Sequence, residues 1–215
     1  ETFDGGLLER VQNDLWKVTA LNSLDTTILI WLNELSGNVK IFDDLMKVIA
    51  SDYLMPLVFA LSLLALWFSG RTLSERTKYQ QAAIVGSCGI GLTNVAVWLI
   101  NITWYRPRPF LDHGDQLTLL FYPPTDPSFP ANAIAVGFAA GAAVWTVNRM
   151  FGWWIFALAT VFGLSRVYAG VFYPVDIIGG AVVGVIVFCL TDYVRRCIEP
   201  LIALFIRLIR GLSAA

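Results

Sequence analysis

The sequence predicts an all-α fold, a polytopic bundle of helices in a membrane, and three observations predict it. Of 215 residues, 57% are hydrophobic and only 14% are charged, with a mean hydropathy of +0.65, outside the usual range of a soluble globular domain. The apolar residues are bunched into long runs instead of being spread with one-sided periodicity. Basic residues gather between those runs, at Arg71, Arg76 and Lys78, at Arg149, and at Arg195 and Arg196. The net charge is −1 with mixed signs, so no nucleic-acid partner is expected.

The elements follow in order. Leu24 to Leu35 and Ile41 to Ile49 are too short and too charged to cross a hydrocarbon core of about 30 Å, so residues 1–50 are expected to form an interfacial or re-entrant segment. Glu1 to Gly6 is neither basic nor apolar, and no signal peptide is expected there. Tyr53 to Phe68 reads as the first span and stops at Ser69-Gly70. Gln81 to Tyr105 is the second, with Gly86, Gly89 and Gly91 allowing close helix approach. Residues 106–130 carry Pro107, Pro109, Pro123, Pro124, Pro127 and Pro130 and must leave the bilayer core. Ala131 to Val147, Phe151 to Arg166 and Val175 to Tyr193 complete five expected spans, the first two of these joined tightly through Asn148-Arg149-Met150. These spans form a transmembrane domain over 51–194, and 195–215 is expected to lie on the membrane surface as an amphipathic tail. The positive-inside rule puts the 71–78 loop, Arg149 and the C-terminus on the cytoplasmic side, and the proline-rich loop and the Tyr168 to Pro174 turn outside. Arg10, Lys17, Lys40 and Lys47 in the outer N-terminal segment pull against that orientation.

Candidate chemistry concentrates at the outer face. His113 is the only histidine, which excludes a bis-histidine haem or a multi-histidine metal site within the chain, and no metal or cofactor is expected. Cys88, Cys189 and Cys197 show no ligand spacing and read as small buried hydrophobes. Arg108 and Arg166 come from different helices, and the planar guanidinium suits a forked grip on phosphate oxygens, although snorkelling arginines at an interface would look the same. Asp176 opens the last span, where it could equally be a carboxylate at a helix N-terminus. Asp112, Asp115, Asp126 and His113 are expected to face water. Neither Ser128 nor Ser165 has a histidine nearby in sequence to activate it.

From about Leu24 to Leu204 these stretches resemble the type-2 phosphatidic-acid phosphatase family, in its undecaprenyl-pyrophosphate phosphatase-like branch. Arg108-Pro109 matches the end of the family's first motif and Pro130 the start of its second; Ser165, Arg166 and Asp176 match the third in register. The resemblance implies a nucleophilic histidine at position 172, an acid histidine at 133, a phosphate-binding serine at 131 and a lysine at 101. Phe172, Ala133, Ala131 and Asn101 stand there. Phenylalanine has no lone pair and alanine no proton to give, so the family's phosphohistidine route cannot run. The expectation is a catalytically silent homologue in a bacterial plasma membrane, binding membrane lipids or a lipid phosphate through Arg108 and Arg166, or serving as a subunit beside partner membrane proteins. The alternative is an active lipid (pyro)phosphate phosphatase with a rearranged site, with His113 as base, or a deliberately disabled form of one.

Overall fold

The computed structural model describes residues 23–212, with side chains to Glu199. It is helical, with no strand among the described residues: α1 over 23–33, α2 Lys40–Ile49, α3 Leu54–Phe68, α4 Leu73–Thr103, α5 Pro109–Asp112, α6 Asn132–Val147, α7 Arg149–Tyr168 and α8 Pro174–Leu212. The expectations placed on residues 1–22 and 213–215 lie outside the described residues.

Local chemistry sets the helix boundaries. α4 starts at a capping box in which the Glu75 amide donates to Thr72 Oγ1 (3.2 Å) and the Thr72 amide donates to the Glu75 carboxylate (3.3 Å). Asn148 serves two helices: its amide donates to Val144 O at the end of α6, and its side chain accepts from Phe151 N at the start of α7 (3.0 Å). One residue therefore makes the tight hairpin that the sequence predicts.

α6 is the central helix, packed against α3, α4, α7 and α8. Its alanines and glycines permit that, because small side chains let neighbouring backbones approach. The closest approach is to α8: a Cβ at Gly184 would lie 2.1 Å from Ala135 O, and one at Gly180 would lie 2.5 Å from Ala131 O. Larger side chains fill the remaining interior, with Phe59 and Phe162 fully buried and their ring centroids 6.3 Å apart. Trp98, Trp153, Trp154 and Ile178 point outward, each more than half exposed, as side chains bathed in lipid would.

The expected number of spans is corrected. Three helices are long and apolar enough to cross a bilayer: α4, α7 and α8 as far as Glu199. A fourth is reached if α2 and α3, bent by 48° at their junction, count as one broken span. α3 has 15 residues and α6 has 16, so at 1.5 Å per residue each covers only about 24 Å or less. α8 runs unbroken from Pro174 to Leu212, so the tail continues the last span as helix.

Candidate phosphate site

Four backbone positions bring the site residues to one end of the bundle: the segment after α4, the N-terminus of α6, the C-terminus of α7 and the N-terminus of α8. Arg108 precedes α5, Arg166 lies in the last turn of α7, and Asp176 lies in the first turn of α8. All three are buried, at 2%, 4% and 0% exposure. A buried charge needs a partner, and each has one.

Arg166 and Asp176, which share one motif, do not pair with each other; Asp176 Oδ1 accepts from Arg106 Nη1 at 2.5 Å. Arg106 Nη2 also donates to Asp25 Oδ2 on α1 at 2.6 Å, so one guanidinium neutralises two carboxylates that are almost wholly buried. Asp25 further accepts from Val175 N (2.9 Å), supplying the cap of α8 from another helix, and Asp176 Oδ2 accepts from Tyr173 N (2.9 Å). Burial works against the charge on Arg106, but Asp176 and Asp25 outweigh it and raise the guanidinium above its ordinary range.

Arg166 pairs with Asp52, at the corner between α2 and α3, and Asp52 also accepts from Tyr122. The Arg166 guanidinium lies 4.7 Å from the Phe121 ring and 5.1 Å from that of Phe162. Its Nε is buried without an acceptor among the described residues. Arg108 donates to Asp126 Oδ1 (2.9 Å), to Asp126 O (2.7 Å) and to Val171 O (3.3 Å). Burial pulls Arg108 below the ordinary guanidinium range; Asp126 opposes this, and the like charge of Arg166 adds to it. The two arginines therefore feel each other.

The remaining positions sit around this core. Phe172 is buried with its ring 4.4 Å beneath the Arg108 guanidinium, a cation–π contact where a histidine is implied. Ala131 is the N-cap of α6 and makes no side-chain cap bond, so first-turn amides there have no side-chain acceptor from it. Ala133 follows in the first turn, half-buried. Asn101 is in α4, its Oδ1 buried without a donor among the described residues. His113 is half-buried at the end of α5, its ring 6.5 Å from that of Tyr173 and edge-on to it, and Arg106 stacks on Tyr173 at 4.1 Å. Burial and Asp112 push the Tyr173 phenol up to about 12, so it stays protonated.

Residues 82–196 match the PAP2 superfamily. The chain belongs to that superfamily. It is 30% identical over 186 residues to the undecaprenyl-diphosphatase BcrC of Bacillus subtilis, covering 85% of this chain and 92% of that one. Its fold is that of the crystal structure of Aquifex aeolicus LpxE (TM-score 0.62, 23% identity, 78% of this chain and 93% of that one). The PAP2-type phosphatidylglycerolphosphate phosphatase of Bacillus subtilis gives a TM-score of 0.60 at 16% identity, over 83% of this chain and 88% of that one. The match to a diphosphatase over most of both chains overturns the expectation of a catalytically silent lipid-binding protein or complex subunit, and favours the alternative, an active phosphatase.

Sequence reasoning found Arg108, Arg166 and Asp176 and missed the carboxylates that hold the arginines. Asp25 and Asp52 each interrupt an otherwise apolar stretch, and an ionisable residue in such a place is a site candidate by default. Asp126 was expected in water; its side chain is 61% exposed, yet it holds Arg108.

Proposed function

We propose that the protein hydrolyses the diphosphate head of a polyprenyl-type lipid at the end of the bundle carrying Arg108 and Arg166. The observation that carries this reading is Arg166, a buried guanidinium whose Nε–H has no acceptor among the described residues, at the same end of the bundle as the buried Arg108. Two buried guanidinia at one end of the bundle and an α6 N-terminus without a side-chain cap suit a multiply charged anion. The substrate phosphate would replace Asp52 and Asp126, which now occupy the two arginines.

The chemistry narrows the substrate. With alanine at the acid position, no side chain there protonates a leaving oxygen, so the departing group must be stable as an anion. A lipid phosphate leaving from a diphosphate meets that demand, its last proton having a pKa of about 6. A lipid alkoxide, with a conjugate acid near the ~15.7 of water, does not. Water adds to the terminal phosphorus as the bond to the bridging oxygen breaks; His113 takes the water proton, and the lipid monophosphate leaves unprotonated. The clustering of Arg71, Arg76, Lys78, Arg195 and Arg196 at the opposite end supports placing this site on the outer face, with the C-terminus cytoplasmic.

The test is release of inorganic phosphate from undecaprenyl diphosphate and from phosphatidate by purified protein. The expected result is release from the diphosphate, far slower release from the monoester, and loss of both on His113→Ala. No release above a protein-free control from either lipid would refute the reading.

A further inference from the structure

At the end of the bundle opposite the candidate phosphate site, α4, α6 and α8 enclose a cup of about 330 Å³. Its polar wall is Lys78 and Gln81 from the start of α4, Thr146 from the end of α6, and Asp192, Arg195 and Arg196 from α8. The charges do not cancel. Asp192 is shared between Arg195 (3.1 Å) and Arg196 (2.6 Å), Glu199 takes the other side of Arg195 (2.9 Å), and Lys78 pairs with no acid among the described residues. Three cations against these two acids leave the cup positive.

The cup also continues into apolar space on both sides of α8. Toward α4, beyond Gln81 and Arg195, a groove of about 450 Å³ is lined by Ile84, Cys88, Val194 and Ile198. Toward α6 and α7, beyond Thr146 and Arg196, a groove of about 540 Å³ is lined by Trp145, Trp153, Phe156 and Cys189. Ile84, Val194, Ile198 and Trp153 are 43–64% exposed on the outward surface, where lipid tails run. A free anion would use only the cup. An amphiphile with a negative head and two chains uses the cup and both grooves.

We propose that this cup holds the phosphate head of an anionic glycerophospholipid from the leaflet opposite the candidate site, with its chains in the two grooves beside α8. The arrangement is that of a basic pocket between membrane helices, where head-group charge supplies selectivity and the chains supply apolar burial. The site does not depend on the hydrolytic reading, because it shares no residue with the arginine cluster.

The experiment is native mass spectrometry of the detergent-solubilised full chain, titrated with dioleoyl phosphatidylglycerol or dioleoyl phosphatidylcholine. The expected result is a one-to-one phosphatidylglycerol adduct at least fivefold tighter than the phosphatidylcholine adduct. Lys78→Gln and Arg196→Gln should each weaken it about fivefold without altering phosphatidylcholine binding. Arg76→Gln, a basic residue of α4 outside the cup, should change neither. Equal affinity for the two lipids, or an unchanged phosphatidylglycerol adduct in both cup variants, would overturn the proposal. So would full displacement of phosphatidylglycerol by millimolar glycerol 1-phosphate, since the chains would then contribute nothing. Circular dichroism of each variant separates lost binding from lost fold.

Discussion

Arg106→Gln is the most severe single change the site invites. The wild-type guanidinium is 19% exposed and is the cation for both Asp25, at 2%, and Asp176, at 0%. Glutamine keeps much of the side-chain volume and removes the charge, leaving two carboxylates in the interior with no counter-ion. Removing one partner of a buried ion pair costs about 3–5 kcal/mol, because the other charge is left without compensation. Here two charges are stranded, and the stack on Tyr173, worth about 0.5–2 kcal/mol, weakens as well, so the loss should reach the upper part of that range. Unfolding by SDS titration in mixed micelles, followed by the fluorescence of the eight tryptophans, measures it. Neutralising the partners too, in Asp25→Asn/Arg106→Gln/Asp176→Asn, should restore most of the loss, since a neutral hydrogen-bonded trio carries no unpaired charge. A loss below about 1 kcal/mol, the level expected of an exposed pair, would refute the argument that Arg106 is the keystone of these contacts.

Three further outcomes follow from the same contacts. Asp52→Asn and Asp126→Asn should each tighten inorganic phosphate binding about two- to fivefold by calorimetry, since each removes a partly exposed anion that competes for an arginine; unchanged or weaker binding would count against competition. Phe172→His with Ala133→His should raise phosphate release at least a hundredfold, the scale of a positioned acid or base; no gain would mean that the backbone does not hold those positions as the superfamily resemblance implies. Gly184→Ala should lose about 1–3 kcal/mol or more, because its Cβ would meet Ala135 O at 2.1 Å, whereas Gly91→Ala, with nothing within 4 Å, should gain about 0.5–1 kcal/mol; equal shifts in the SDS midpoint would show that α6 and α8 are not in backbone contact.

Much of the architecture was legible because membrane helices declare themselves by length and apolarity. The helices α4, α7 and α8 fall where apolar runs predict them, and Asn148 makes the turn that its neighbours require. The lengths of α3 and α6 were legible too, each within one residue of the runs Tyr53 to Phe68 and Ala131 to Val147; what the apolar runs did not show is that helices of 15 and 16 residues are shorter than a hydrocarbon core of about 30 Å requires. Arg108, Arg166 and Asp176 were legible as one cluster because motif and topology put them at one end. Their partners were not: Asp176 lies 70 residues from Arg106, Asp25 lies 81 from it, and Asp52 lies 114 from Arg166. Spacing carries no signal over such separations, and only the packing of α1 and the α2–α3 corner against the site decides which carboxylate reaches which arginine.

The backbone-to-backbone seam between α6 and α8 also works as a ruler. Gly180 and Gly184 leave no flexible side chain to absorb a displacement, so α8 cannot slide along α6 without carrying both ends of the bundle with it. Asp176 at one end and Asp192 at the other are 16 residues apart on that single helix, about 24 Å at 1.5 Å per residue. That length falls short of an ordinary ~30 Å hydrocarbon core, and the difference must be met by local thinning of the bilayer or by snorkelling of the flanking charged side chains. Bilayer thickness therefore sets whether the two charged ends of this helix can both reach their head-group planes at once.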